Sequence, residues 1–255
     1  MRLFLIRHGE TVDNVANVYA GTRDSALTTH GVLQARRLAS HLVKHLPPGT
    51  HIFSSTLQRA VKTAETLRDA RGGWVLKQLP QLCEKDFGSG EGARFGSRRE
   101  YPEDAESAES MRTRVDEFLE DHILPLVKSS TDGVVVVAHG IILGVLFRRL
   151  CERLAPSATT VSPEAQCSSS PFSKGSIPVL PPWSNTGYLE AVLSPPGSLT
   201  WPTLRLHIVR VNCVDHLQGL RKTRGGIGSA RFDEKQRTMD SFFAPKKRKL
   251  ADAAD

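Results

Sequence analysis

Cysteine is scarce, with four residues in 255. Cys83, Cys151, Cys167 and Cys213 lie far apart and form no zinc-type pair, so reduced thiols in an intracellular protein are expected. Long apolar runs are missing too. Nothing approaches the ~20 residues of a membrane span. The short N-terminal run meets Arg7-His8 at once, unlike a secretion signal. No carboxylate cluster of the kind magnesium or manganese needs is visible, so no metal and no other cofactor is expected. There is no internal repeat.

What is present is 39% hydrophobic residues, enough to core one α/β domain, followed by a tail. The net charge of +7 is uneven: residues 216–255 carry ten Lys/Arg against five Asp/Glu, so the preceding part is nearly neutral. The basic pI thus belongs mainly to the tail. The boundaries expected are a domain over 1–215 and a basic, largely disordered tail over 216–255. Residues 155–184 turn to Ser, Pro and Thr and read as a flexible insertion outside the core.

The domain alternates short β-prone runs with helical periodicity. Strands are expected at Leu3–Ile6, at "HIFSS", at "WVLKQL", at "GVVVVAHG" and in two later runs, Tyr188–Leu193 and Thr203–Val211. Helices are expected over "LTTHGVLQARRLASHLVKHL", with Thr28 or Thr29 as N-cap, over "TLQRAVKTAETLRDA", and near 110–127 and 141–154. Pro125 should disturb the third of these. Glu10–Asp24 reads as a polar loop. Four valines in a row suit the middle of a parallel sheet, so the fold class expected is α/β, a mostly parallel central sheet with helices on both faces.

Polar residues gather where strands end, which is where ligands bind in open α/β sheets. Arg7 and His8 end the first strand, and Gly9 lets the chain turn close to a ligand. Arg59 falls in the first turn of a helix whose positive end it shares. Glu84 opens the loop after the third strand, and His139 ends the fourth. Two arginines supply forked donors for phosphate oxygens, and a protonated second histidine would add a cation. One neutral imidazole can attack phosphorus to give a phosphohistidine. Glu84, with Asp86 and Glu91 as rivals, can pass a proton to the leaving alkoxide and take one from water.

These segments resemble the histidine phosphatase, or phosphoglycerate mutase-like, superfamily. "RHGETVDN", "SSTLQRAVKTAETL", "LCEKDFGSGEG" and "VVVVAHG" are similar to its four motifs in order, and "WSNTGYLEAVL" to a later strand. The resemblance implies that His8 is the nucleophile and Glu84 the proton donor, that Arg7, Arg59 and His139 hold the phosphoryl group, and that Asn14 assists. Ala20 and Gly90 depart from the family pattern, which bears on substrate preference. The Arg-His-Tyr-Gly stretch of cofactor-dependent mutases is missing from "ARFGSRREYPEDAESAES", which favours hydrolysis. Arg94, Arg98 and Arg99 in that stretch are candidates for binding an anionic substrate, or simply a solvated loop.

The tail carries a separate signal. Gln236, Met239, Phe242 and Phe243 are spaced Q-x-x-M-x-x-F-F within 236–243, which resembles the motif that binds the replication sliding clamp, proliferating cell nuclear antigen. A 3₁₀ turn repeats every three residues, so Met239 and Phe242 share a side with Phe243 beside them. "PKKRK" at 245–249, with Lys246, Lys247, Arg248 and Lys249, resembles a nuclear import signal. Direct nucleic-acid contact through "RKTRGGIGSARF" is the weaker alternative to a flexible spacer. The partners expected are a phosphorylated substrate, the clamp and an import receptor, with no membrane, in the nucleus or shared with the cytoplasm. Two rivals remain: a mutase acting on small metabolites, and an inactive clamp-binding adaptor.

Overall fold

Gly133–Ala138 (β4) is buried at all six positions and forms the middle of the sheet. It lies between two parallel neighbours, Arg2–Arg7 (β1) and His51–Ser54 (β2), and Val75–Gln78 (β3) extends the parallel set to the edge. Tyr188–Ser194 (β6) pairs antiparallel with β1, and Arg205–Cys213 (β7) antiparallel with β6. Thr159–Val161 (β5) closes the other edge, giving the order β3-β2-β4-β1-β6-β7-β5. The protein is seen in a computed structural model that describes residues 1–97, 101–129, 132–165, 180–195 and 200–222. The clamp-binding motif, the import signal, Cys167, Arg98 and Arg99 lie outside these residues.

Alternation along the strands makes two cores. Phe4 and Ile6 of β1 face one side with Val135 and Val137, under Thr29–Leu42 (α2) and Gln58–Arg71 (α3). Leu3 and Leu5 face the other side with Val134 and Val136, under Ala108–Phe118 (α4) and Gly140–Glu152 (α6). The expected mostly parallel α/β architecture with helices on both faces is therefore the observed one, with β6 the single reversed strand. No helix among the described residues is long and apolar enough to cross a membrane.

Several local expectations hold and others are corrected. Thr28 is the N-cap of α2, its hydroxyl accepting from the Gly31 amide. The helix near 110–127 is broken as Pro125 requires: α4 runs into a wider turn at Leu119–Ile123, and Leu124–Lys128 (α5) follows. In that turn the Leu124 amide donates to the carbonyl of Leu119, five residues back, which makes room for a ring that cannot donate. Within the expected polar loop 10–24, Val12–Ala16 forms a short helix (α1), capped by Thr11.

The stretch 155–184 is not wholly outside the core. Thr159–Val161 pairs with β7 at the sheet edge, and Trp183 is buried. Ser/Pro/Thr composition marks a weak local propensity, which a partner strand can override. The domain also runs past 215. His216 is buried beside Tyr188 and His41, the Gln218 carbonyl accepts from Arg37, and Lys222 pairs with Glu10 at 2.5 Å.

Candidate active site

In the parallel β1–β4 pair, Arg7 stands opposite Ala138. His8 and His139 are each one residue past their strand, so they emerge side by side, with ring centroids 5.1 Å apart. Arg59 in the first turn of α3, Glu84, Arg7 and Asn14 line a cleft of about 390 Å³ with His8, and His139 adjoins it through the His8 ring and a hydrogen bond from Arg59. All five residues read from the strand ends therefore meet. Of the three carboxylates weighed for proton transfer, only Glu84 lines the cleft. Asp86 accepts from the Gly88 amide, and Glu91 accepts from the amide and hydroxyl of Thr22.

Hydrogen bonds fix both imidazole tautomers. His8 Nδ1 lies 2.7 Å from the Gly9 carbonyl, which can only accept, so Nδ1 carries the proton and the lone pair sits on Nε2. Arg59 Nε donates to His139 Nδ1 at 3.1 Å, so the His139 proton is on Nε2, which has no protein partner. Burial, then the charges of Arg7 and Arg59, hold the His8 pKa well below 6.5. Burial, then Arg59, His8 and Arg7, do the same to His139. Both rings are thus neutral at neutral pH. The condition set above, a protonated second histidine, is not met: His139 offers a neutral N–H, because burial, and then the neighbouring guanidiniums, disfavour its charge.

The cations are Arg7 and Arg59. Arg7 Nη1 donates to the Trp183 carbonyl at 2.5 Å, while its buried Nε has no partner. Arg59 is 2% exposed and donates to three acceptors: His139 Nδ1, the Arg23 carbonyl at 2.6 Å and the Gly21 carbonyl at 2.7 Å. A guanidinium has five N–H groups, so two remain for a ligand. Gly21 is required for this clasp. It has φ +55°, and a Cβ there would meet the Glu91 carboxylate at 2.1 Å. Gly9 serves a close approach, not a left-handed turn: a Cβ on it would lie 2.6 Å from the Gly31 carbonyl.

Glu84 is held by a helix end. Its Oε1 accepts from the Lys85 amide at 3.0 Å and the Ile142 amide at 3.1 Å, and Oε2 from the Ile141 amide at 3.1 Å. The helix whose N-terminal amides reach this site is therefore α6. At α3 the first amide, from Gln58, donates to Asp24. Asn14 is braced by its carbonyl oxygen, which accepts from the Thr11 amide and from Asn185 Nδ2, and only its amide N–H groups are left for a ligand. Arg94 bridges to Val18 and is not among the cleft residues.

Residues 183–187 went unread as site residues. The antiparallel register sets Ile6 against Tyr188, so whatever precedes Tyr188 lies beside Arg7 and His8. Asn185 Nδ2 donates to the His8 carbonyl as well as to Asn14. The Thr186 amide donates to the carbonyls of Arg7 and His8, with Thr186 itself at φ 56°, a strained value for a β-branched residue. Its hydroxyl is 2.9 Å from His216 Nε2. The polar cluster "WSNTG" before a strand was the available signal, but strand order is not written in it.

His216 yields a pH prediction. Burial, then the charge of His41, lowers its pKa from 6.5 to about 4. An unfolded chain takes up the proton as pH falls through ~6.5 while the folded one refuses it. Stability is therefore complete above ~6.5 and is lost as pH falls toward 4, by about 2–3 kcal/mol for this group. Urea midpoints at neutral pH and near pH 4.5 are expected to show the wild type losing that much more than His216→Gln. Equal losses would place the acid sensitivity elsewhere.

Residues 3–172 match the family described as histidine phosphatase superfamily, branch 1. The chain belongs to that superfamily. A Schizosaccharomyces pombe protein named as a phosphatase is 32% identical over 250 residues, covering 93% of this chain and 78% of that one. A Hydrogenobacter thermophilus protein bearing the name of a phosphoserine phosphatase is 35% identical over 167 residues, covering 59% of this chain and 77% of its own length. Phosphoglycerate mutases are also relatives. A solved mycobacterial hydrolase shares the fold, with a TM-score of 0.64 at 24% identity over 83% of this chain and 98% of that one. The protein is a phosphatase of the histidine phosphatase superfamily.

Proposed function

We propose that the protein hydrolyses phosphomonoesters without a metal, through a phosphohistidine at His8. One observation carries this reading. His8 Nε2 holds a lone pair beside a cleft that Arg7 also lines, and Arg7 Nε and the adjoining His139 Nε2 are buried N–H donors without partners. In the first step the Nε2 lone pair forms the P–N bond as the P–O ester bond breaks, and the leaving oxygen takes a proton from Glu84. Oε2 accepts one amide where Oε1 accepts two, so it is the oxygen with room for that proton. In the second step water attacks phosphorus, Glu84 takes the water proton and the P–N bond breaks. Arg7, Arg59 and His139 stabilise the equatorial oxygens throughout.

Hydrolysis is favoured over phosphoryl transfer between metabolites by what the cleft contains. Among the described residues lining it, Arg7 and Arg59 are the only Lys or Arg, and both sit at the phosphoryl end. A second anionic group on a substrate meets no further cation among those described residues. Activity is expected to persist in EDTA and to be blocked by vanadate, a five-coordinate mimic of the phosphorus in flight. Loss in EDTA with recovery on adding magnesium would reject the metal-independent route.

We place this activity in the nucleus, tethered to the sliding clamp by Gln236, Met239, Phe242 and Phe243, with Lys246–Lys249 as the import signal. The support is the sequence of the tail: two phenylalanines in an otherwise polar, basic segment. Burying an aromatic side chain contributes on the order of 2–3 kcal/mol. Calorimetric titration of purified clamp with a 234–250 peptide is therefore expected to show binding that weakens by ~100-fold or more in the Phe242→Ala/Phe243→Ala peptide. An unchanged double variant, or no wild-type binding at high micromolar peptide, would end the clamp reading.

A further inference from the structure

The cleft has two chemically distinct ends. Its inner end is the cationic phosphoryl site. The rest of its lining includes Tyr19, Phe87, Phe95 and Trp183, of which Phe95 is the exposed one and Trp183 belongs to the core. Aromatics are only 6% of the chain, yet they are four of the fifteen cleft-lining residues. These rings are organised. Tyr19 packs on Phe87 and Phe95, each with centroids 4.6 Å away, and Tyr101 stands behind them at 5.3 Å from Phe87. Lys85 Nζ sits 3.8 Å over the Tyr101 ring and 5.8 Å over that of Phe87, which braces both. Phe95 is half exposed, an apolar face kept in water at the mouth of a site.

Among the described residues, the only carboxylate in the lining is Glu84. Beyond the phosphoryl site, the described lining thus offers no charge to recognise a sugar acid, a bisphosphate or an amine. What the rings offer is π-face and edge, which select flat unsaturated groups by stacking and by the water they displace. From these rings we infer that the preferred substrates are phosphomonoesters whose leaving alcohol carries an uncharged planar aromatic group, seated against Tyr19 and Phe95. This rests on the hydrolytic reading above and adds the leaving-group class to it.

The test compares 2-naphthylmethyl phosphate with glycerol 3-phosphate on the full chain. Both esters release a primary alkoxide, so intrinsic lability does not decide the ratio. The naphthylmethyl ester is expected to have a kcat/KM at least tenfold higher, carried by KM. Phe95→Ala is expected to raise KM for that ester by tenfold or more and to remove most of the preference. Phe95→Tyr, which keeps the flat ring, is expected to retain it. A melting curve checks that each variant folds. Phosphate release from both esters with equal kcat/KM, or a preference that survives Phe95→Ala in folded protein, overturns the aromatic subsite while the hydrolytic reading stands. Release from neither ester overturns the hydrolytic reading itself.

Discussion

Replacing His8 by alanine is expected to lower turnover by about 10⁴-fold or more, the scale on which removal of a covalent nucleophile is felt. The geometry leaves no substitute. His139 Nδ1 is occupied by Arg59 Nε, so the neutral His139 ring has its proton on Nε2 and no lone pair to present to phosphorus. His8 is the reverse, with Nδ1 spent on the Gly9 carbonyl and Nε2 available. Rapid-quench digestion of the wild type is expected to recover acid-labile phosphate on His8. The same experiment on His8→Ala should recover none. Appreciable steady-state turnover by His8→Ala, or label on His139 in the wild type, would overturn the assignment. A melting curve separates folding from catalysis, because alanine removes both the Gly9 hydrogen bond and the packing of the buried His8 ring on His139.

Arg59→Lys is expected to lose both activity and stability. A lysine keeps the charge but cannot hold His139, Arg23 and Gly21 at once, since a single ammonium on a flexible stem has no planar fork. Loss of one preorganised donor to developing charge typically costs 10²–10³ in rate, and a similar fall in kcat is expected here. The carbonyls of Gly21 and Arg23 would lose their partner beside a buried position, at about 1–3 kcal/mol for each group left unsatisfied. Denaturant midpoints measure the second effect and single-turnover rates the first. A variant with wild-type stability would show that the clasp on the 19–24 loop is not structural. One with wild-type kcat would remove Arg59 from the phosphoryl site.

The two losses separate what Arg59 does from what Arg7 does. Arg7 spends one nitrogen on the Trp183 carbonyl and keeps a buried Nε without a partner. Arg59 is committed at all three nitrogens before any ligand arrives. It therefore organises the site as well as charging it, which is why the conservative replacement is the informative one.

Much of this protein could be read in its sequence. The continuous apolar run in β1 and four consecutive valines in β4 require strands buried on both faces, and the helical stripes of α2 and α3 require a sheet to lie against. Strand ends are also legible, because a charged residue cannot continue a buried run, so Arg7, His8, Glu84 and His139 announce themselves at positions where ligands bind. Glu84 could not be told from Asp86 and Glu91, since all three occupy one loop and differ only in where the loop points. The short strand Thr159–Val161 was masked by composition, and the buried stretch 216–222 by the charge of the tail that follows it.

By itself the sequence determined which residue types stand at the strand ends and how many layers the chain must form, because burial patterns and turn residues act locally and leave periodic traces. Tertiary structure alone decided three things. It brought Asn185 and Thr186 to the His8 backbone, through the antiparallel register of β6 on β1. It set the tautomers and neutral charge of both histidines, through Gly9, Arg59 and burial. It gathered Tyr19, Phe87 and Phe95 from two loops into one aromatic cluster lining the cleft. Each depends on contacts between segments far apart in the chain, and protonation and strand order are properties of such contacts, not of any residue's neighbours in sequence.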